Sequence, residues 1–322
     1  MARYELVNLF AGAGGLEQAA RDLGVPGVGI EHEASVCATR RAAGLATEEG
    51  DVLTFKPSDF PSANVLAGGP PCQTFSLAGS GAGRRALTEV LHFMQRMALG
   101  EDVRAPLAQL EDKRTGLVLE PLRWALAAVD GGYPYEAVVL EQVPAVLPVW
   151  RAVGDVLSGK GYSVVSGVLR AEEFGVPQTR RRAVLIARRR GTAALPKATH
   201  QPYGKNAFAA LDPALPPCVT MGETLDRSEP FFVTTNYGTG GDPKARGRRT
   251  SAEPAFTVTG KFRRYKITTE DGTAQERLTC AEAGQLQSFP ADYPWTGTDT
   301  AQQIGNATPP LLAAHILTAA LA

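Results

Sequence analysis

Over the first 190 residues, short aliphatic and β-branched runs alternate with longer stretches in which apolar positions recur at helical spacing. The short runs predict strands over residues 4–10, 28–30, 65–67, 137–140, 163–169 and 183–187. The longer stretches predict helices over residues 16–23, 34–43, 117–129 and 146–157. Strands and helices that alternate in this way form βαβ units, so the pattern predicts an α/β fold with a doubly wound, mainly parallel sheet.

The alternation stops near residue 190, and from there to residue 298 the chain is rich in proline and glycine with weak periodicity. Helical periodicity returns over residues 311–322, directly after Thr308-Pro309-Pro310, which is typical of a helix start. We therefore predict a first domain over residues 1–190 and a second, smaller, loop-rich domain over 191–298. A C-terminal segment, 299–322, is expected to pack back on the first domain.

Composition places the chain among ordinary globular proteins. Hydrophobic residues make up 44% and charged residues 20%, and 33 basic residues balance 33 acidic ones, so total charge indicates no partner. The four cysteines show neither a disulfide framework nor metal-ligand spacing. No segment approaches the ~18 uninterrupted apolar residues of a membrane span. We expect a soluble, cytoplasmic protein with reduced thiols and no bound metal.

A glycine-rich turn follows the first predicted strand. Its sequence from Phe10 to Leu16, FAGAGGL, would bring backbone N–H groups and the start of a helix against a ligand. A dinucleotide-binding turn requires a third glycine at position 17, where Glu17 stands beside the expected pyrophosphate. The turn therefore argues against an NAD-dependent oxidoreductase.

Acidic residues occur at two further positions where ligand contacts are expected. Glu31 closes the second predicted strand, where a carboxylate can accept hydrogen bonds from ribose hydroxyls. Asp51, followed by Val52, can accept a hydrogen bond from the amino group of an adenine. A ligand with ribose and adenine but no phosphate is S-adenosylmethionine. The alternative is that both acids are solvated strand ends.

Reactive side chains stand near the ends of three other predicted strands. Cys72 follows the strand at 65–67 in Gly-Pro-Pro-Cys-Gln, and Glu141 follows the strand at 137–140, so both face the sheet edge where ligands bind. Arg180 and Arg182 precede the strand at 183–187 and alternate to one side. Together they bring a thiol nucleophile, a carboxylate and two guanidinium groups to one edge. Taken singly, a buried cysteine and a solvated basic strand start are the alternatives.

In this order, the motifs resemble those of the bacterial-type DNA (cytosine-5) methyltransferases. The resemblance covers nearly the whole chain outside residues 200–275. It rests on FAGAGG at 10–15, Glu31, Asp51, PPCQ at 70–73 with Phe75-Ser76, DKRTGL at 112–117, EQV at 141–143, QTRRR at 178–182, RLT at 277–279, QSFP at 287–290, and QIGNA at 303–307 before Pro309-Pro310.

The resemblance implies a Rossmann-like class I methyltransferase fold with a target recognition domain. In this family the cysteine matching Cys72 attacks C6 of a cytosine flipped out of duplex DNA, and the glutamate matching Glu141 holds ring N3 and the amino group. Arg182 would contact the cytosine O2 and Arg180 the nearby backbone. Methyl transfer to C5 follows, then loss of the C5 proton and release of the cysteine.

The same resemblance implies S-adenosylmethionine as methyl donor, with S-adenosylhomocysteine as product. Phe10 would stack on adenine, the glycine turn would hold the methionine moiety, Glu31 the ribose, and His32 would pack on adenine. The full predicted pocket comprises Phe10, Ala11, Gly12, Gly14, Gly15, Leu16, Glu31, His32, Asp51, Val52, Pro71, Leu117, Asn306 and Ala307.

Three positions depart from the family pattern. Asn8 replaces the usual aspartate before Leu-Phe, which removes a negative charge near the sulfonium and is expected to affect cofactor affinity. Gln142 replaces the asparagine of ENV but keeps an amide, so we expect altered hydrogen bonding at the turn and no loss of chemistry. Thr308 follows Ala307 where valine is common.

The region outside the shared motifs contains a basic stretch. Residues 244 to 266 include eight lysines and arginines and a single acidic residue, Glu253, so their net charge is +7. Phe262 and Tyr265 lie among these basic residues. This composition is typical of a phosphate-binding surface. The residues predicted to contact DNA are Gln73, Ser76, Arg246, Arg248, Arg249, Lys261, Arg263 and Arg264.

Different roles are expected within this basic stretch. Arg246, Arg248 and Arg249 are expected in a glycine-flanked loop that tracks phosphates. Arg263 and Arg264, after a strand-like stretch at 256–259, are expected to present a fork to guanine.

The long segment 77–114 carries helical patterns at 87–98 and 103–110 and is expected to be a mobile loop that closes over the flipped base. The predicted protein is a monomeric DNA (cytosine-5) methyltransferase that acts on double-stranded DNA, with a separate restriction endonuclease as a candidate partner. Methylation of transfer RNA and an inactive DNA-binding homologue remain the alternatives. The basic stretch favours DNA, and the presence of all four catalytic side chains favours activity.

Overall fold

The first 190 residues build a sheet of seven strands in the computed structural model, which describes residues 4–71, 82–110, 114–204, 212–238 and 246–322. The strands lie in the order β3-β2-β1-β4-β5-β7-β6. Their bounds are β1 (Leu6–Leu9), β2 (Gly27–Glu31), β3 (Ala46–Glu49), β4 (Val65–Gly68), β5 (Ala137–Gln142), β6 (Ser163–Arg170) and β7 (Arg181–Arg188).

Neighbouring strands pair in parallel except β7, which is antiparallel to both β5 and β6. The predicted doubly wound, mainly parallel sheet is therefore confirmed. Strand order reverses between β1 and β4, so the carboxyl ends of these strands flank the crevice where such sheets bind ligands. The helices of this part are α1 (Gly15–Asp22), α2 (Ala34–Ala42), α3 (Ala82–Ala98), α4 (Arg104–Leu107), α5 (Arg114–Leu117), α6 (Glu120–Asp130) and α7 (Leu147–Gly159).

Every residue of the central strands β1, β4 and β5 is buried, which is why these strands are almost continuously apolar in sequence. On one face, Leu9 and Leu66 pack with Trp124 of α6 and Trp150 of α7. Each such fully buried side chain stabilises the fold by ~1.5–3 kcal/mol. The packing fixes the strand ends that carry the site.

Segment 77–114 contributes helices to this core. Val90, Met94 and Met97 of α3, with Val103 before α4, are buried in the cluster that includes Trp150. The predicted helical stretches are thus present, although α3 begins earlier and α4 is shorter than expected. Residues 77–81 and 111–113 lie outside the described residues, and the closing motion stays a prediction.

A second, antiparallel sheet of four strands follows, in the order β11-β10-β8-β9. It has its own core, in which Phe231, Val233 and Phe262 are buried. Its elements are α8 (Met221–Thr224), β8 (Phe232–Gly238), β9 (Arg246–Thr250), β10 (Lys266–Thr268), β11 (Ala274–Gln275) and α9 (Cys280–Leu286).

This second sheet corrects two expectations about the basic stretch. The expected loop at residues 246–249 is wrong, because these residues form β9 and pair with β8. The expected strand at 256–259 is also wrong, since this part of the chain pairs only through an isolated bridge from Ala255 to Gln178. Arg263 and Arg264 lie in a 3-10 turn (Phe262–Arg264).

The C-terminal segment contains α10 (Thr300–Asn306) and α11 (Pro310–Leu321). Leu312, Ile316 and Leu317 of α11 are buried against Leu16 and Ala19 of α1. The segment between α10 and α11 is thereby placed beside the glycine turn. The domain boundaries at 190 and 298 stay predictions. Within the described ranges, no helix is long and apolar enough to cross a membrane.

Candidate active site

The glycine turn after β1 is strained and open on one side. Phe10 has φ 59°, and Gly12 and Gly14 have φ 54° and 94°. A positive φ is uncommon for a residue with a side chain, and such strain is found at functional sites. A Cβ on Gly12 would meet no atom within 4 Å, whereas a Cβ on Gly14 would collide with the Leu45 side chain. The turn therefore has space for a ligand at Gly12 and is packed closely behind.

Side chains hold three successive carbonyls of this turn. Arg40 Nη1 donates to the carbonyls of Ala11 at 3.3 Å and Gly12 at 3.2 Å. The Tyr293 hydroxyl donates to the carbonyl of Ala13. Burial raises the pKa of Tyr293, so this hydroxyl remains a donor at neutral pH.

Arg40 is itself buried and paired. Its Nη2 lies 2.8 Å from Glu17 Oε1, and the two side chains are 0% and 3% exposed. Arg40 also donates to Thr47 Oγ1 at 3.0 Å and to the Ala46 carbonyl at 3.1 Å. Glu17 thus stands where a dinucleotide-binding turn has its third glycine, and its carboxylate forms a buried ion pair with Arg40. Arg40 and Tyr293 were not predicted.

Glu31 lies at the end of β2 against the same turn. Its Oε2 accepts from the Gly12 N–H at 2.9 Å, and its Oε1 accepts from the N–H groups of His32 at 2.8 Å and Glu33 at 2.9 Å. The His32 ring is 66% exposed, with Nδ1 3.3 Å from Glu31 Oε1. The carboxylate of Glu31, predicted to bind the ribose, is therefore fixed by three backbone N–H groups, and the His32 ring, predicted to pack on adenine, is exposed.

The loop after Asp51 is held at Val52 by a partly buried ion pair that sequence reasoning missed. Asp51 Oδ1 accepts from Leu53 N at 2.9 Å and begins a 3-10 turn. Arg123 donates to the carbonyls of Val52 at 3.5 Å and Phe55 at 3.2 Å, and it pairs with Glu120 at 2.7 Å. Burial raises the pKa of Glu120, which Arg123 opposes.

The remaining predicted cofactor residues occupy neighbouring positions. Leu16 is buried at the start of α1, whereas Pro71 and Leu117 are half-buried. A Cβ on Gly15 would collide with the Thr308 carbonyl, so the turn and the C-terminal segment are in direct contact. Ala307 is buried in this segment and Asn306 is exposed.

Glu141 and Arg182 form the second part of the site. Glu141 is buried at the end of β5, next to β7, and Arg182 Nε lies 2.6 Å from Glu141 Oε1. The Thr308 hydroxyl donates to Glu141 Oε2 at 3.1 Å. A Cβ on Gly69, at the end of β4, would lie 3.9 Å from the same oxygen. The carboxylate thus faces the strand end that leads to Cys72.

Cys72, Gln73 and Ser76 lie outside the described residues, so their predicted roles stay predictions. The backbone directly before them is anchored. Gln142 Nε2 donates to the Pro70 carbonyl at 2.6 Å, and its Oε1 accepts from Val143 N at 2.5 Å. Gln142, which replaces the asparagine of the family pattern, therefore joins the ends of β4 and β5 through its side-chain amide.

Arg180 lies beside this pocket but is directed at protein backbone. It is 2% exposed, and its guanidinium donates to the carbonyls of Val258 at 3.1 Å, Gly305 at 3.0 Å and Ala307 at 3.2 Å. Gln178 donates to the Leu286 carbonyl at 2.8 Å and accepts from Val258 N at 2.9 Å. Residues 178–180 thus join the first domain to the second sheet and the C-terminal segment.

The predicted DNA-contacting arginines differ in their surroundings. Arg249 lies between the rings of Tyr203 and Phe256, 4.6 and 4.2 Å from their centroids. It donates to Thr179 Oγ1 at 3.0 Å and to the carbonyls of Pro254 and Ala255, both at 2.8 Å. Burial lowers its pKa. Its Nη1 group is therefore bound by the protein.

Other basic side chains are open to solvent. Arg248 is exposed, with Cζ 3.9 Å from the Phe232 ring centroid. Arg263 Nη2 lies 3.0 Å from Cys280 Sγ. Lys261, Arg263 and Arg264 are exposed, and Arg246 is half-buried.

The seven-stranded sheet with its glycine turn after β1 gives the chain a Rossmann-like methyltransferase fold. Solved structures of the same architecture include a Schizosaccharomyces pombe Dnmt2 methyltransferase, with a TM-score of 0.67, 13% identity, and coverage of 99% of this chain and 98% of that one. The Entamoeba histolytica methyltransferase EhMeth has a TM-score of 0.65, 11% identity, and coverage of 100% and 98%. At these identities the likeness shows the fold alone.

Sequence comparison gives the family. The family model for C-5 cytosine-specific DNA methylase matches residues 4–94 and 136–321. Type II methyltransferase M1.HphI of Haemophilus parahaemolyticus is 29% identical over 358 residues, which cover 98% of this chain and 86% of the relative. Type II methyltransferase M.HgiDI of Herpetosiphon aurantiacus is 27% identical over 341 residues, which cover 97% and 92%. The chain belongs to the C-5 cytosine-specific DNA methylase family.

Proposed function

We propose that this chain is an active DNA (cytosine-5) methyltransferase that uses S-adenosylmethionine and acts on a cytosine flipped out of duplex DNA. The observation that carries the proposal is the buried Glu141 carboxylate, paired with Arg182 at 2.6 Å at the strand end beside Gly69. This arrangement offers an acid and a cation to a flat, polar heterocycle.

The residues around the glycine turn fit the cofactor. Gly12 leaves space where a ligand can approach the backbone, and Phe10 is held at a strained φ of 59° beside it. Glu31 would hold the ribose, the loop at Asp51 and Val52 the adenine edge, and residues 11–16 the methionine moiety, with Asn306 and Ala307 closing the pocket. When bound, this cofactor supplies an electrophilic methyl group on a sulfonium.

On the base side, each residue has a separate task. Cys72 would attack C6 of the cytosine as the thiolate, which shifts electron density to C5. Glu141 would hold N3 and the amino group and share a proton with N3 as charge develops. Arg182 would stabilise that charge at O2. Arg180, whose guanidinium binds three protein carbonyls, would act by positioning the C-terminal segment.

The family match to C-5 cytosine-specific DNA methylase favours DNA over RNA, and the second sheet offers a surface for the nucleic acid. Its edge strand β9 presents Arg248 to solvent, and Lys261, Arg263 and Arg264 are exposed nearby in sequence. Such clustered cations suit phosphate contacts. The curated relatives named above are type II methyltransferases, so a separate restriction endonuclease remains a proposed partner.

The test is transfer of labelled methyl groups by the purified full chain to duplex DNA, with transfer RNA as a parallel substrate. We expect 5-methylcytosine in DNA, none after Cys72→Ala, and a lasting adduct on DNA with 5-fluorocytosine at the target, since C5 then has no removable proton. The matched control is Cys218→Ala, a half-buried cysteine of the loop-rich region, which should retain activity. Methylation of RNA alone, or full activity of the Cys72→Ala variant, would refute the proposal.

A further inference from the structure

The Glu141 carboxylate forms an ion pair at one oxygen and accepts a hydrogen bond at the other, from residues in different parts of the chain. Arg182 Nε lies 2.6 Å from Oε1, and the Thr308 hydroxyl lies 3.1 Å from Oε2. Arg182 belongs to the neighbouring strand β7, whereas Thr308 is 167 residues away in sequence. Thr308 is also a position at which this chain departs from the common valine. The departure therefore adds a hydrogen-bond donor to the base pocket.

The position of Thr308 is fixed by its surroundings. Arg180 holds the carbonyl of Ala307 at 3.2 Å, directly before Thr308, and Pro309 follows with φ −60°. The Thr308 carbonyl lies against Gly15, where any Cβ would collide with it. Thr308 thus touches the cofactor turn with its main chain and the base-pocket carboxylate with its side chain.

A hydroxyl suits a carboxyl group that changes its protonation state. It donates to an ionised carboxylate and can rotate to accept from a carboxylic acid, so it stays a partner in both states. Arg182 can only donate. Valine at position 308 would fill the same volume but leave Oε2 without this partner.

We propose that Thr308 is a positioning residue that orients Glu141 toward the target base and ties this orientation to the docked cofactor turn. The expected change in catalytic rate rests on the proposed function, whereas the orientation of the Glu141 carboxylate does not. We expect an effect on the catalytic rate and little effect on cofactor binding.

The experiment compares the wild-type chain with the variants Thr308→Val and Thr308→Ser. Thr308→Val should lower kcat by about tenfold, equivalent to ~1.4 kcal/mol, with KM for S-adenosylmethionine and affinity for S-adenosylhomocysteine within about twofold of wild type. Thr308→Ser keeps the hydroxyl and should restore most of the rate. The matched control is Thr318→Val, an exposed threonine on α11, which should behave as wild type.

Crystal structures of the same variants with S-adenosylhomocysteine separate this inference from the proposed function. The Glu141 carboxylate should turn away from its wild-type position in Thr308→Val and keep it in Thr308→Ser. An unmoved carboxylate overturns the inference, as does a Thr308→Val enzyme with wild-type kcat. A wild-type chain that methylates no DNA would refute the proposed function instead, and the crystal structures alone would then decide the role of Thr308.

Discussion

The cofactor side and the base side of the site are assembled differently. On the cofactor side, most of the turn is held from nearby in sequence, by Glu31 at 19 residues and by Arg40 at 28 and 29 residues. On the base side, Glu141 depends on Thr308 at 167 residues, and Arg180 reaches Ala307 at 127 residues. The first four elements, β1, α1, β2 and α2, therefore form most of the cofactor side by themselves, with Tyr293 as a distant addition.

The difference shows which parts of the molecule each half requires. On the base side, the contact of Thr308 with Glu141 requires the C-terminal segment, which Arg180 binds through the carbonyls of Gly305 and Ala307. Changes on the base side should therefore remove chemistry and spare cofactor binding. Changes behind the glycine turn should weaken cofactor binding first.

The largest effect is expected at Glu141. Glu141→Gln keeps the size of the side chain but removes both the charge that pairs with Arg182 and the exchangeable acid proton. The methylation rate should fall by about 10² or more, the usual scale for a positioned acid or base. Calorimetry should find the affinity for S-adenosylhomocysteine nearly unchanged. An equal loss of rate and affinity would show that Glu141 belongs to the cofactor side.

Arg40→Met tests the cofactor side. It leaves Glu17 buried without its cation, which typically destabilises a protein by ~3–5 kcal/mol, and it removes the donors to the carbonyls of Ala11 and Gly12. Chemical denaturation and calorimetry should show lower stability together with weaker S-adenosylhomocysteine binding. Arg41→Met is the matched control, since Arg41 lies next in sequence but forms an exposed pair with Glu49.

A double variant separates the two effects of Arg40. Arg40→Met with Glu17→Leu removes both buried charges, so much of the stability should return. The carbonyls of the turn still lack their donors, so cofactor affinity should stay reduced. Recovery of both properties would mean that Arg40 only neutralises Glu17.

The sequence predicted the large sheet well because its central strands are buried on both faces and therefore continuously apolar. It did not predict β3, whose sequence Ala-Thr-Glu-Glu is almost wholly exposed at the sheet edge. It also did not predict β9, Arg-Gly-Arg-Arg-Thr, which lies at the edge of the second sheet. These two edge strands carry little hydrophobic pattern, because their side chains are exposed or half-buried.

The site was predictable where sheet geometry alone brings residues together. Glu141 and Arg182 follow from the ends of neighbouring strands. Arg40 could not be distinguished from the exposed Arg41 by local pattern. Thr308 stands out in the sequence only as a departure from the family pattern, because its contact with Glu141 spans most of the chain. Long-range polar contacts leave no periodic trace in sequence.

Adjacent arginines of β9 provide a smaller test of base-side assembly. Arg249 binds Thr179 and Ala255, so Arg249→Ala should destabilise the chain by ~2 kcal/mol and lower the rate. Arg248→Ala should leave stability unchanged, weaken binding to all DNA sequences, and reduce the salt dependence of binding by ~0.9 for each phosphate that the variant no longer neutralises. Thermal denaturation measures the change in stability, and titration with DNA at several salt concentrations measures the change in binding. Reversed effects would show that Arg249 faces DNA.

The smallest expected effect is a pH dependence on the base side. Glu172 is buried, and its Oε2 accepts from Arg180 N at 3.2 Å. Burial raises the pKa of Glu172, and no described residue forms an ion pair with it, in contrast to Glu17. The folded chain therefore holds a proton on Glu172 at pH values where the unfolded chain has released it, so this stabilising contribution is lost as pH rises through the folded pKa. Glu172→Gln imitates the protonated state and should flatten, by ~2 °C or more, the fall of Tm as the pH rises above 4.5, the ordinary pKa of this carboxyl group. The exposed Glu270→Gln is the control. A Glu172→Gln variant with the wild-type pH profile would mean that the charge of Glu172 is balanced in the folded chain, as the charge of Glu17 is by Arg40.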